Sequence, residues 1–295
     1  MAKTKNDVLQ RAKDNKNDEF YTRMVDIEKE MPLHFDDFKD KTIYCCCDDY
    51  RWSNFILYFK DHFVESGIKK LIATNYDNGD GAWKYVYDGK EETITALEGN
   101  GDFMSEECTA IKDNEADIII TNPPFSKFKS FIHWLYGNDG LFKSKPIDFL
   151  VIGNKNAGQW QTIFPLYFED KLRWGYNCIN KFQVPDGSIA DLEGMGRWFT
   201  TLPVNKNNPP IKLVEFDTER HKKYDTFDAV NTNSIKDIPD IDGLIGVPIG
   251  ILDYICKDQF EIVGMLRVGC CCYDFGHPII DGKHLFTRIV IKKKK

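Results

Sequence analysis

Asp117-Ile118-Ile119-Ile120-Thr121-Asn122-Pro123-Pro124-Phe125 joins a short apolar run to a proline-rich turn. The run at 117–121 is short and rich in β-branched side chains, and a turn bounds it, which is typical of a strand buried inside a parallel sheet. Comparable apolar runs lie at residues 42–47, 71–74 and 147–153. The sequence therefore predicts buried parallel strands at these four places.

Helical patterns separate these runs. Apolar side chains recur at helical spacing at residues 52–63 and again at 128–135. Between them, at 83–97, alternating aromatic and polar residues around Asp88-Gly89 indicate an inserted hairpin that could shield a pocket. The βαβ alternation predicts an open α/β sheet with right-handed crossovers, whose ligands bind beyond the carboxyl ends of the strands.

The pattern changes after Thr201. A turn-rich segment follows, which contains Pro203, Pro209 and Pro210 among several asparagines. Beyond it the βαβ alternation is no longer clear. We therefore predict a first domain at residues 1–202 and a second region at 203–295.

Composition limits the class of protein. Of the 295 residues, 42% are hydrophobic and 14% aromatic, which suffices for a large core and a smaller lobe. No run approaches the roughly 18 apolar residues of a membrane helix, and the N terminus is polar rather than signal-like. The sequence predicts a soluble, intracellular protein that does not bind a membrane.

The distribution of charge is more informative than its total. A net charge of −7 argues against a nucleic-acid partner, because phosphate contacts require Lys and Arg. Basic residues nevertheless cluster near the N terminus, at 220–223 and at 292–295. Each cluster is either a phosphate-binding patch or a solvated surface.

The nine cysteines do not have the spacing of a metal site. Most lie in two triplets, at 45–47 and 270–272, without paired CxxC motifs. Adjacent residues on a strand point to opposite faces, so a triplet cannot easily direct three sulfurs to one metal. We expect reduced thiols that behave as small buried hydrophobes, and no metal.

The turn Asn122-Pro123-Pro124-Phe125 follows a predicted strand at the edge where ligands bind. The prolines lack N–H groups and stiffen the backbone, so the turn presents hydrogen-bond acceptors. The Asn122 side-chain oxygen and the Pro123 carbonyl can each accept one hydrogen from an exocyclic base amine, which favours attack of its lone pair on a methyl sulfonium. Phe125 offers a ring for base stacking, worth about 1–3 kcal/mol. The alternative is an ordinary proline-rich turn.

Polar residues are also expected at the same edge of the sheet. Asp48 follows the first strand, where a glycine-rich loop is usual, and is a candidate for binding the amino-acid or ribose portion of a cofactor. Asn75-Tyr76 follows the second strand and is a candidate for ribose hydroxyls, and Asp102-Phe103 is a candidate for a cofactor adenine. Each of these also has a simpler interpretation as a turn or a helix cap.

Together these residues resemble the EcoRI-type adenine-specific DNA methyltransferases, within the N6-adenine methylases. The blocks that carry the resemblance are Asp18-Glu19-Phe20-Tyr21-Thr22, Cys47-Asp48-Asp49, Trp52-Ser53-Asn54-Phe55, Gly101-Asp102-Phe103, Asn122-Pro123-Pro124-Phe125, Arg197-Trp198-Phe199-Thr200 and Gly246-Val247-Pro248-Ile249. The resemblance implies a Rossmann-like S-adenosylmethionine-dependent methyltransferase sheet with a C-terminal target-recognition region at 203–295. It also adds Phe20, Tyr21, Thr22 and Cys47 to the cofactor pocket.

The resemblance further implies a site-specific enzyme that transfers a methyl group from S-adenosyl-L-methionine to N6 of a flipped-out adenine in double-stranded DNA. A cognate restriction endonuclease and a cytoplasmic location in a prokaryotic host, as a chromosomal or phage-encoded protein, would accompany that activity. Two alternatives stay open at this point. One is a methyltransferase that acts on RNA adenine or protein glutamine, and the other is a catalytically silent DNA-binding relative.

Overall fold

The computed structural model describes residues 20–137, 144–184, 187–267 and 275–294. The chain divides into two compact units. The first comprises Met1–Lys155 and Gly175–Val204, and the second comprises Asn156–Trp174 and Asn205–Lys295. The segment Asn156–Trp174, which the sequence placed in the first domain, thus groups with the second unit.

The first unit is built on a mixed sheet of eight strands. The strands are β1 Thr42–Cys45, β2 Lys70–Thr74, β3 Trp83–Tyr87, β4 Glu92–Ala96, β5 Ile118–Thr121, β6 Asp148–Asn154, β7 Arg173–Gln183 and β8 Ile189–Thr200. Their order in the sheet is β4-β3-β2-β1-β5-β6-β8-β7. The central pairs β1–β2, β1–β5 and β5–β6 are parallel, whereas β2–β3, β3–β4 and β6–β8 are antiparallel. The Rossmann-like α/β prediction is confirmed, with antiparallel additions at both edges.

Short helices connect the strands. They are α1 Met24–Glu30, α2 Phe35–Phe38, α3 Asn54–Asp61, α4 Phe63–Ser66, α5 Glu106–Asn114, α6 Phe128–Leu135, α7 Phe164–Phe168 and α8 Ile251–Tyr254, with 3-10 turns at Met31–His34, Phe125–Lys127, Lys155–Gln159 and Ile235–Asp237. The hydroxyl of Ser53 caps α3 by accepting from Phe55 N, and Ser105 caps α5 in the same way. In the described residues, no helix has the length and apolar character needed to cross a membrane.

Burial explains why the central strands are short apolar runs. All four residues of β1 and of β5 are buried, as expected for strands covered on both faces. The four predicted strands and the hairpin β3–β4 are confirmed, with boundaries shifted by one or two residues. The first strand ends at Cys45 rather than at Cys47, and beyond it Asp48 N–H bonds to the Thr74 carbonyl of β2 at 3.1 Å.

The second unit contains a separate four-stranded sheet. Its strands are β9 Ala229–Asn231, β10 Leu244–Val247, β11 Phe260–Leu266 and β14 Arg288–Lys293, in the order β11-β14-β10-β9. A small pair, β12 Ile279–Ile280 and β13 Lys283–His284, lies apart from it. β14 is antiparallel to both of its neighbours, which agrees with the loss of βαβ alternation after Thr201. Assignment of this part of the chain to target recognition stays a prediction.

Candidate active site

A cavity of about 750 Å³ lies at the carboxyl ends of β1, β2 and β5. β1 has β2 on one side and β5 on the other, so the direction in which successive strands are added to the sheet reverses at β1. Open α/β sheets bind ligands at such a switch point. The residues that line the cavity all belong to the first unit. They are Phe20, Tyr21, Thr22, Cys46, Cys47, Asp48, Asp49, Trp52, Ser53, Asn54, Phe55, Asn75, Tyr76, Asn78, Gly101, Asp102, Phe103, Asn122, Pro123, Pro124, Phe125, Lys127, Gln183, Val184 and Gly187. Every residue that the sequence assigned to catalysis or cofactor binding therefore lines one cavity.

Asp48 connects the loop after β1 to the end of β5. One carboxylate oxygen accepts from the Ser53 hydroxyl at 2.7 Å, and the other accepts from the Thr121 hydroxyl at 2.5 Å. Thr121 immediately precedes Asn122. Without any glycine, the loop after β1 is thus fixed beside the candidate catalytic turn by side-chain hydrogen bonds.

The two neighbouring aspartates have opposite electrostatic behaviour. Burial raises the pKa of Asp48 to about 6, against the hydrogen bonds from Thr121 and Ser53 and with a contribution from the nearby Asp49. Burial also acts to raise the pKa of Asp49, but hydrogen bonds and charge from Arg51 outweigh it and hold that pKa below its ordinary value. Arg51 approaches Asp49 to 2.6 Å. Asp49 is therefore a paired carboxylate, whereas Asp48 is a buried carboxyl without a cationic partner among the described residues.

Gly101 holds two loops of the cavity together. Its φ is +70°, and a Cβ at this position would lie 2.0 Å from the Asn75 carbonyl oxygen. The same two loops are joined by a hydrogen bond from Asp77 N–H to the Asn100 carbonyl at 2.9 Å. Only glycine permits this approach, which places Asp102 beside the end of β2.

The Asn75 side chain is engaged in holding its own loop. Its Nδ2 donates to the Gly81 carbonyl at 2.9 Å, and its Oδ1 accepts from Trp83 N–H at 3.0 Å. Asn75 is buried, whereas the neighbouring Tyr76 is exposed at the cavity. Both the turn interpretation and the position at the cavity are thus correct for Asn75, and contact with ribose hydroxyls stays a prediction.

Asp102 and Phe103 differ in how they are held. Asp102 accepts from Met104 N–H at 2.9 Å and pairs with the Lys127 ammonium at 2.7 Å. Phe103 is buried and packs edge-on against Phe131, with ring centroids 4.8 Å apart. The carboxylate thus lies at the cavity, while the aromatic side chain anchors its loop to the core.

Asn122 lies in the cavity with one side of its amide occupied. Its Nδ2 donates to the backbone carbonyl of Phe20. Its Oδ1 is buried and has no hydrogen-bond partner among the residues that the structure describes. In the same part of the chain, no hydrogen bond ends on the Pro123 carbonyl, whereas the Pro124 carbonyl accepts from Lys127 N–H at 3.0 Å. Both acceptors that the sequence predicted are therefore available.

Phe125 belongs to a cluster of three aromatic rings. It stacks against Phe20, with centroids 5.5 Å apart, and meets Phe182 edge-on at 5.7 Å. The sequence predicted a ring for base stacking but not these partners. Phe182 lies on β7, and its proximity depends on long-range pairing that local patterns do not reveal.

Residues 20–22 enter the cavity as an extended segment. Tyr21 and Gln183 exchange two backbone hydrogen bonds, at 2.7 Å and 3.0 Å, and Asn54 Nδ2 donates to the Thr22 carbonyl at 2.8 Å. The Thr22 hydroxyl is buried and has no hydrogen-bond partner within the described ranges. Asp18 and Glu19 of the same sequence block lie outside the described residues.

The cysteines at β1 contribute mainly packing. Cys45 and Cys46 are buried, and burial raises the pKa of both thiols well above the ordinary value. Cys47 is partly exposed and lines the cavity. The second triplet, at 270–272, lies outside the described residues. In the described part of the chain, no cluster of His, Cys, Asp and Glu has the arrangement of a metal site.

Sequence reasoning did not assign Lys127, Trp52 or Gln183 to the site, although each lines the cavity and has defined contacts there, Gln183 with the Tyr21 backbone. Lys127 pairs with Asp102 across the cavity, and Trp52 packs edge-on against Tyr21 with centroids 4.6 Å apart. Lys127 lies two positions after Phe125, so its proximity to the turn could have been anticipated. Trp52 was interpreted as part of an apolar helical face and of a family sequence block but not as a residue of the site, although it precedes α3 and is 48% exposed.

Comparison with known proteins decides the family. A match to the family described as "Adenine-specific methyltransferase EcoRI" extends over residues 8–294. The chain belongs to this family. Its relatives include "Type II methyltransferase M.EcoRI" of Escherichia coli, 34% identical over 98% of this chain and 97% of the relative. "Type II methyltransferase M.MgeORF184P" of Mycoplasma genitalium is 33% identical over 97% and 98%, and "Type II methyltransferase M.MpnI" of Mycoplasma pneumoniae is 31% identical over the same shares. No solved structure gives a significant match.

Two sequence blocks of the EcoRI adenine-specific methyltransferase family have packing roles in this member. Trp198 and Phe199 are fully buried in β8, and the Thr200 hydroxyl donates to the Phe149 carbonyl at 2.6 Å. In the other block, a Cβ on Gly246 would lie 2.2 Å from the Tyr224 hydroxyl oxygen. The first block therefore stabilises the sheet of the first unit by packing, and the second does the same for the sheet of the second unit.

The basic run at 220–223 is largely ion-paired in this family member. Arg220, Lys222 and Lys223 each lie within 3.1 Å of a carboxylate. Exposed pairs of this kind are weak because solvent screens them, so a phosphate can compete for the cations. Whether the run binds nucleic acid stays a prediction.

Proposed function

We propose that this member of the EcoRI adenine-specific methyltransferase family methylates N6 of adenine in double-stranded DNA at specific sites, with S-adenosyl-L-methionine as the methyl donor. The observation that carries the proposal is the position of Asn122. Its buried Oδ1 lacks a hydrogen-bond partner among the described residues, and it lies in a cavity at the switch point of the sheet. Family membership and the Type II methyltransferase names of the relatives support the same activity.

The residues of the cavity fit a methyl donor with an adenosyl group. A volume of about 750 Å³ is within the usual range for a small-molecule site. The buried Thr22 hydroxyl has no partner in the described part of the chain and can bond to a polar group of the ligand. We assign Phe20, Tyr21, Thr22, Cys47, Asp48, Asn75, Tyr76, Asp102 and Phe103 to the donor. The carboxylates among them favour a cationic ligand, and S-adenosylmethionine supplies a methyl group activated on a sulfonium.

The turn after β5 acts on the base. Asn122 Oδ1 and the Pro123 carbonyl accept the two N6 hydrogens, which withdraws the amine from conjugation with the ring and directs its lone pair at the methyl group. Attack of N6 on the methyl carbon would break the bond between that carbon and the sulfonium sulfur, release S-adenosylhomocysteine, and leave N6 with an extra proton that passes to solvent. Phe125 and Pro124 complete the wall that holds the base. No covalent enzyme nucleophile takes part.

DNA is the favoured substrate over RNA adenine or protein glutamine. All three relatives are named Type II methyltransferases, and their similarity covers nearly the whole chain. An adenine inside a duplex cannot reach a cavity, so the base is flipped out. We assign residues 203–295 to recognition of the target site. We further propose that the protein acts in the cytoplasm, together with a cognate restriction endonuclease of the same cell.

A methyl-transfer assay tests the proposal. The purified protein is incubated with tritiated S-adenosylmethionine and separate pools of duplex DNA, RNA and protein, and the products are digested and identified by chromatography. We expect N6-methyladenine from the DNA pool alone. Label in glutamine or in RNA would support the alternative substrates, and donor binding without transfer to any pool would support a silent DNA-binding relative.

A further inference from the structure

The Asn122 amide is oriented by a chain segment that precedes the first strand. Its Nδ2 donates to the backbone carbonyl of Phe20. A carbonyl oxygen can only accept, so the amide atom that faces Phe20 has to be the nitrogen. The Oδ1 is consequently on the other side of the amide, where it is buried and without a partner among the described residues.

The Phe20 carbonyl is itself held firmly. The next residue, Tyr21, exchanges two backbone hydrogen bonds with Gln183 at 2.7 Å and 3.0 Å. Asn54 Nδ2 donates to the Thr22 carbonyl at 2.8 Å, and Phe20 is 94% buried by its packing. The segment is thus fixed both by β7 and by the start of α3. It presents one carbonyl to Asn122 in a defined position.

We propose that the Phe20 carbonyl is a positioning and specificity-determining group, which makes Asn122 an obligate acceptor. An asparagine free to rotate its amide can present either a donor or an acceptor to a base. With Nδ2 held by Phe20, the site accepts a base that has an amino group at the reacting position and rejects one that has a carbonyl there. This inference rests on the proposed function of Asn122 and adds the reason for its orientation.

The Asn122→Asp variant tests the inference through its pH profile. An ionised carboxylate would place an oxygen against the Phe20 carbonyl oxygen, and the two repel each other. A protonated carboxyl can donate to Phe20 and keep its other oxygen as the acceptor. We expect turnover about 100-fold below wild type at pH 8, by analogy with loss of one preorganised polar contact. It should then rise towards wild type as the pH falls to about 5.5, whereas the wild-type rate should not rise.

The Asn122→Ala variant is the matched control, because it lacks both the acceptor and the titratable group. Its turnover should be low at every pH. Flat turnover of Asn122→Asp across the range, at either the wild-type or the alanine level, would overturn the inference, provided that calorimetry shows donor binding and hence a folded protein. Wild-type turnover in the alanine variant would instead contradict the proposed function.

A second measurement needs no variant. Once the methylated site has been mapped, the target adenine is replaced by hypoxanthine, which has a carbonyl in place of the amine. A hypoxanthine–thymine pair opens more easily than adenine–thymine, which by itself favours binding of a flipped base. We nevertheless expect binding at least about tenfold weaker, because the hypoxanthine carbonyl oxygen would face Asn122 Oδ1 and both atoms are hydrogen-bond acceptors. Equal or tighter binding would overturn the inference.

Discussion

The Lys127 ammonium lies 2.7 Å from a carboxylate oxygen of Asp102. It also lies 5.8 Å and 5.9 Å from the ring centroids of Phe103 and Tyr76. Three residues assigned to the donor thus surround a lysine of the chain itself. A donor adenine that bonds to the same carboxylate oxygen of Asp102 competes with this ammonium.

The Lys127→Gln variant should therefore bind the methyl donor more tightly than wild type. A half-exposed ion pair is worth about 0–1 kcal/mol, so removing it should lower the dissociation constant by up to about fivefold. Calorimetry with S-adenosylhomocysteine measures the change. Lys129→Gln is the control, since Lys129 is exposed on α6. Weaker binding in Lys127→Gln alone would mean that the ammonium contacts the donor instead.

Gly101→Ala should destabilise the first unit and open the cavity. A methyl group at φ +70° and 2.0 Å from the Asn75 carbonyl oxygen forces the backbone to move. We expect a loss of at least about 2 kcal/mol in the free energy of unfolding, together with weaker donor binding. Urea unfolding and calorimetry measure the two effects. Gly99→Ala is the control, because its Cβ would meet only Glu107 Oε2, at 3.7 Å. Equal stability of the two variants would show that the contact between the two loops does not require glycine at position 101.

The buried Asp48 should make stability depend on pH. Burial raises its pKa to about 6 from 3.8, so the folded protein keeps a proton that the unfolded chain has already lost between these values. Stability contributed by this group is present below about pH 4 and falls as the pH rises through about 6, by at most about 3 kcal/mol.

The Asp48→Asn variant lacks this titration. Relative to wild type, it should therefore gain stability as the pH is raised from 5 to 8, measured by urea unfolding without ligand. Asp49→Asn should instead lose stability to the same extent at pH 5 and pH 8, because hydrogen bonds and charge from Arg51 outweigh burial and hold the pKa of Asp49 below its ordinary value, so this group does not titrate in that range. If the difference in free energy of unfolding between wild type and Asp48→Asn does not depend on pH, burial does not raise the pKa of Asp48.

The parallel centre of the fold could be predicted from the sequence because its signals are local. Buried strands such as Ile118–Thr121 are continuous apolar runs, and α6 has its apolar residues on one face. The hairpin of β7 and β8 was not predicted. Its burial along β7 alternates irregularly, so the sequence does not have the period of a regular strand.

The candidate site was predicted as a set of residues but not as a set of contacts. The edge rule for parallel sheets places Asp48, Asn75 and Asn122 together. Hydrogen bonds between distant residues are different, because they depend on side-chain placement after folding. The contacts of Asn122 with Phe20 and of Lys127 with Asp102 are of this kind.

Base flipping should be visible by fluorescence. With 2-aminopurine at the target adenine, binding of the wild-type protein should raise the emission, because the base leaves the stack. A mismatch at that position should strengthen binding, since opening costs a few kcal/mol less. The control places 2-aminopurine at a neighbouring position, where emission should change little. Constant emission at the target, with no preference for the mismatch, would contradict flipping.

Phe125→Ala should weaken binding of the flipped base. Stacking on the ring is worth about 1–3 kcal/mol, and quenching of 2-aminopurine by the ring should be relieved. Because Phe125 also packs against Phe20 and Phe182, Phe125→Tyr is the control that keeps an aromatic ring. Equal affinity and emission for alanine, tyrosine and wild type would exclude stacking on Phe125.

The most direct test of the account is the Asn122→Ala variant, measured for methyl transfer and for donor affinity in the same preparation. Asn122 is assigned to the target amine and not to the donor. We expect single-turnover methylation of DNA to fall at least about 100-fold, while the dissociation constant for S-adenosylmethionine changes by less than about threefold. Near-normal methylation by Asn122→Ala would contradict the central claim that the turn after β5 activates the adenine amine.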